Sequence, residues 1–120
     1  MRNIEILNLY TNLTKFGTCT SLYPTTVSAV TTKNLRVLKP YVEDYLNLRN
    51  SIVNQHEQEL KPDEDDRNQK LLKLCEKEIA ELNNVDFAEV ESNLTKIDYN
   101  VLPKDMPPKE FTLLAEIINI

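Results

Sequence analysis

His56 is the single histidine of the chain and the side chain best suited to move a proton near neutral pH. A lone histidine cannot form a metal-binding pair. No serine or cysteine is spaced to act as a nucleophile beside it. It is therefore expected as a partly buried or interface residue and not as a catalytic base. The acids Glu57, Glu59, Asp63, Glu64, Asp65 and Asp66 could attract a hard cation. A calcium loop needs alternating oxygen ligands, a glycine at its sharp turn and a closing glutamate. Here no glycine is present and Pro62 interrupts, so the run reads as a solvated loop followed by a helix start. Cys19 and Cys75 lie far apart without CxxC spacing and read as free thiols of a reducing compartment. No catalytic residue, cofactor site or metal site is assigned.

A different chemistry, that of contact with another protein, is suggested by Tyr45, Arg49, Ile52 and His56. They belong to a seam, Leu35, Leu38, Val42, Tyr45, Arg49, Ile52 and His56, whose steps alternate three and four, as on one face of a coiled helix. Tyr and Arg on such a face are typical interface anchors. These four residues are the candidate interface. The competing reading has Arg49 snorkelling to the edge and Tyr45 half buried.

The elements that must position this seam follow from spacing and breakers. Ile4, Leu7, Leu9, Tyr10, Leu13 and Phe16 predict a first amphipathic helix, with Gly17 as its left-handed cap. From Thr25 to about Glu59 the pattern is helical, and Pro40 predicts either a bend or two helices. Leu60 to Asp66 is the linker. A further helix is expected over Asp65–Asn83, with Leu71, Leu72, Cys75, Ile79 and Leu82 on one face. The two together make a long antiparallel αα-hairpin. Between Val85 and Val101 apolar and polar residues alternate, which predicts two short strands turning near Ser92-Asn93. Pro107 and Pro108 start a last helix carrying Phe111, Leu113, Leu114, Ile117 and Ile118, expected to pack into the core or a subunit interface. The expected core also includes Leu46 and Leu72. The fold class is thus mainly α (α+β), with four to five helices and a small β element near residues 85–101, in a single compact domain over 1–120.

Composition narrows the function. The 120 residues carry a net charge of −5, from 14 basic and 19 acidic side chains. That argues against direct nucleic-acid binding, which needs a basic footprint. One glycine excludes a glycine-rich phosphate loop. No apolar run approaches the ~20 residues of a membrane span, and the polar residues Glu5, Asn8 and Asn12 interrupt any signal-peptide core.

The stretch Ile4-Glu5-Ile6-Leu7-Asn8-Leu9-Tyr10 with Leu13, then Asn34-Leu35-Arg36-Val37-Leu38-Lys39-Pro40, then Tyr45 with Arg49 and Ile52, resembles a group of small proteins of tailed bacteriophages and prophages. Glu89-Val90-Glu91, Ile97 and the closing helix fit the end of that layout, while Thr18 to Thr32 departs from it. The resemblance implies a phage context and a compact helical fold, and transfers no functional residue. The expected function is that of a non-catalytic accessory protein, not an enzyme. It would bind a host or phage protein in the host bacterial cytoplasm, for instance to inhibit a host or defence protein. The alternative is a virion or assembly component, such as a tail-assembly chaperone or capsid-associated protein. The long helix has more seam than its hairpin partner can cover, so the surplus must be covered by the first and last helices or by another chain, and a dimer (a homo-oligomer) or a partner contact is expected.

Overall fold

The computed structural model describes residues 1–19 and 23–119. Five α-helices appear in the order α1 (Asn3–Gly17), α2 (Thr25–Glu59), α3 (Asp65–Asn83), α4 (Ala88–Asn93) and α5 (Pro108–Leu114). Two short strands, β1 (Ile97–Asp98) and β2 (Ile118–Asn119), pair in parallel, with Ile97 opposite Ile118. The architecture is mainly α with a small β element.

The body of the molecule is built around α1. Its residues Ile6, Leu9, Leu13 and Phe16 recur at three- and four-residue steps and are all buried. They meet the first half of α2, through Val27, Leu38 and Val42, and α5, through Leu114. Ile97 and Ile117 on the paired C-terminal segments close the same core. Leu114 and Ile117 are fully buried, so the C-terminal segment packs into the core as expected. Ile120, and the positions Thr20 and Ser21, lie outside the described residues.

Buried Asn34 ties the β segment to α2. Its Nδ2 donates to the Thr95 carbonyl at 2.8 Å, and the Thr95 N–H donates to its Oδ1 at 2.8 Å. The asparagine side chain thus takes the place of a backbone partner for a residue just before β1, which the helix could not otherwise satisfy.

Three local expectations are corrected. The segment Ala88–Asn93 is a helix, not a strand. A turn and a half of helix needs to bury little, and here it buries only Val90, so alternation over so few residues did not separate the two periods. β1 consequently pairs with β2, twenty residues later, and not within a local hairpin. Gly17 has no positive φ, and α1 ends on Thr18 in right-handed geometry, its N–H bonded to the Lys15 carbonyl. The left-handed residue among those described is Asp63, with φ 66°, where the tight linker turn falls on a residue type that tolerates it. α2 passes through Pro40 as one helix. Pro40 and Arg36 are both exposed, so the carbonyl that the proline cannot serve lies on the solvent side of the helix.

The shape is elongated. The extents are 60 × 29 × 20 Å and the radius of gyration is 18.8 Å, against about 13–14 Å for a compact chain of this length. The excess comes from the far half of α2 and from α3, which project from the body as a two-helix arm.

Candidate functional site

The arm holds all four residues that the sequence singles out. Pro62 stops α2, the acids Asp65 and Asp66 occupy the first turn of α3, where the helix dipole favours negative charge, and the chain folds back on itself. Tyr45 is buried, and its hydroxyl donates to Asn83 Oδ1. At the turn, the Lys61 N–H donates to Asn68 Oδ1 at 3.1 Å and Asn68 Nδ2 donates to the Lys61 carbonyl at 2.7 Å. These pairs set the register of the antiparallel helices.

His56 is buried, and its Nε2 lies 3.0 Å from Glu78 Oε2. Its Nδ1 is buried without a hydrogen-bond partner. Ile52 is half buried. Arg49 is exposed, and no ion pair engages it among the described residues. The four therefore split. Tyr45 and His56 are polar pins that hold α2 to α3, and their burial removes them as free interface anchors, whereas Arg49 stays available at the surface.

Expectation also failed for two leucines placed in the core. Leu46 is 41% and Leu72 is 45% exposed, and Leu48 and Leu74 are 53% and 45% exposed. α3 buries none of its residues fully. Leu71, Cys75, Ile79 and Leu82 are only half buried. A helix with one neighbour covers one strip of its apolar face, and the wide faces of α2 and α3 spill over on both sides of the seam. The sequence signal for this was present in the width of those faces. What spacing alone does not reveal is that no third helix runs along the arm: α1 touches α3 only at its C-terminal end, where Asn3 Nδ2 donates to the Leu82 carbonyl at 2.9 Å.

Outside the arm, a cavity of about 450 Å³ opens near the C-terminal segment, lined by Tyr99, Leu102, Met106 and Phe111 among others. The Tyr99 and Phe111 rings meet edge to face at 6.2 Å. Cys19 is half buried and unpaired with Cys75. Burial raises its thiol pKa, and the nearby Glu110 carboxylate raises it further, which disfavours the reactive thiolate. Tyr41 donates its hydroxyl to Glu89 Oε1 at 2.9 Å, and that bond raises its pKa. Among the described residues no group of three or more His, Cys, Asp or Glu side chains is placed to hold a metal ion. No helix is long and apolar enough to cross a membrane.

No protein family, curated protein or solved structure matches the chain.

Proposed function

We propose that this is a non-catalytic accessory protein of a tailed phage that acts by binding another protein, with the α2–α3 arm as its contact surface. The observation that carries the reading is the exposure of Leu46, Leu48, Leu72 and Leu74 on one two-helix projection. Scattered apolar residues are ordinary on a protein surface, but large ones gathered on one projecting element mark contact sites. Arg49, exposed among them, adds a side chain of the type enriched at interfaces. The buried pins Tyr45 and His56 serve this surface by fixing α3 against α2. The partner is a host or phage protein met in the host cytoplasm.

The test is affinity purification of the tagged full chain from infected cells, compared with a variant carrying serine at Leu46, Leu48, Leu72 and Leu74. The reading expects one protein recovered in stoichiometric amount by the parent chain and lost by the variant, with melting temperature unchanged. Equal recovery by both chains would overturn it. Copurification with particles would move the protein to the virion class.

A further inference from the structure

The cavity of about 450 Å³ near the C-terminal segment belongs to the body and has no part in the arm. Its frame is built from short, locally closed pieces of backbone. Tyr99 to Val101 makes one helical turn, closed by the Leu102 N–H on the Tyr99 carbonyl at 3.1 Å. The Met106 N–H bonds the Pro103 carbonyl at 3.2 Å. Pro107 and Pro108 then open α5, where the Glu110 and Phe111 N–H groups both bond the Pro107 carbonyl at 3.0 Å. Proline fixes φ and has no N–H to satisfy, so the frame is stiff and these carbonyls already have partners. The hollow is therefore held open by its own backbone, as small-molecule sites usually are, and its volume falls within their range of ~300–1,000 Å³.

The walls are apolar and aromatic. Leu102 is buried, Pro103 and Met106 are half buried, and the Tyr99 and Phe111 rings stand edge to face with centroids 6.2 Å apart. Tyr99 is nevertheless 51% exposed, so the pair leaves aromatic surface open. A further ring covers such surface best, because its edge and face complement theirs. The polar heads are of one kind. The Tyr99 hydroxyl, the Asn100 amide and the Lys104 ammonium all belong to residues lining the cavity, and all can donate. Among the described residues no side-chain hydrogen bond or ion pair engages them. No described carboxylate lines the cavity. Asp98, just before it, accepts the Asn100 N–H at 2.9 Å. We infer that this cavity binds a small aryl carboxylate, with its ring against Tyr99 and Phe111 and its carboxylate toward Lys104 and Asn100. Lys104 is exposed, so its charge adds about threefold to affinity, and burial of the ring supplies the rest. The site stands independently of the reading of the arm.

Equilibrium dialysis of the full chain tests it, with naphthylacetate as the probe and naphthylmethanol as its uncharged counterpart. The acid is expected to bind at a single saturable site with a dissociation constant of about 1 mM or tighter, and the alcohol about threefold more weakly. Lys104→Met should remove that preference and leave binding of the alcohol unchanged, whereas Lys77→Met, on the arm, should alter neither. Thr112 lines the cavity from an exposed position of α5, and Thr112→Trp should fill the hollow and abolish binding of both compounds with an unchanged circular dichroism spectrum. In the parent chain, the amide resonances of Tyr99 to Met106 and of Phe111 should shift as the acid is added, while those of Leu46 to Ile79 stay fixed; this locates the site even where the tryptophan variant does not fold. Absence of saturable binding, a preference for the acid that survives Lys104→Met, or resonance shifts confined to the arm would overturn the inference.

Discussion

In the body, α1 has α2 on one side and α5 on another, and Ile6, Leu9, Leu13 and Phe16 are all buried. In the arm, α3 runs mainly along α2 and buries no residue fully. Both helices are amphipathic, with apolar residues at three- and four-residue steps. What separates them is the number of neighbours. A helix enclosed from two directions can bury a wide stripe, whereas one in a lone hairpin buries a narrow strip and leaves the edges wet. The arm also replaces apolar contacts by polar ones at its seam. Beyond Val42 the buried residues of α2 are Tyr45 and His56, each bonded to a polar side chain of α3. The body is held by burial, and the arm is held in register by a few hydrogen bonds.

The strongest way to break this comparison is to remove the C-terminal segment. Leu114 and Ile117 are fully buried, and burial of each contributes ~1.5–3 kcal/mol. That is a large part of the ~5–15 kcal/mol stability of an ordinary domain. Deleting Phe111 to Ile120 should leave the chain unfolded or insoluble, while cutting back exposed side chains of α3 should not. A soluble truncated chain with an unchanged melting curve would show that the segment is not part of the core.

Point substitutions sharpen the contrast. Leu13→Ala or Leu114→Ala should cost ~2–5 kcal/mol in urea unfolding, and Leu72→Ala about 0.5 kcal/mol or less. Equal costs would mean that Leu72 is packed and that the arm is covered within one chain. Asn34→Leu should cost about 2 kcal/mol or more, because it leaves the Thr95 N–H and carbonyl without their partner.

Smaller effects belong to the pins and the caps. His56→Leu should change stability by no more than about 1 kcal/mol, since the lost bond to Glu78 is offset by removing an unpartnered buried Nδ1. Glu5 accepts from the Arg2 N–H at 2.9 Å, and this bond, with that from the Arg2 side chain, lowers its pKa. A carboxylate with a lowered folded pKa contributes stability above its unfolded pKa and loses it as pH falls through the folded one. Glu5→Gln should therefore lower the melting temperature slightly at neutral pH, and the difference should vanish in the acid range.

Much of this molecule was legible from residue spacing, and the misreadings share a cause. α3 matches its expected bounds because Pro62 and Asn84 punctuate a clear helical period. The docking of the C-terminal segment follows from Leu114 and Ile117, which had to be hidden somewhere, although the helix stops at Leu114 and Ile118 is in β2. The β pairing was not legible in kind, since Ile97 and Ile118 are brought together by the fold and no local turn announces it. Leu46 and Leu72 were misplaced in the core for the same reason. Their spacing says that a neighbour belongs on that face, but not whether the neighbour lies in the same chain. At the candidate site, Arg49 was singled out by type and register and is exposed. The exposed leucines beside it become visible only once the number of packed helices is known.

Hydrogen exchange tests the central claim most directly, because it reads the body and the arm at once. The account predicts that amides of Ile6 to Phe16 are strongly protected. Those from Leu46 to Glu59 and from Leu72 to Ile79 should exchange faster. If the arm is as protected as α1, its apolar stripe is not an open surface, and the account is contradicted.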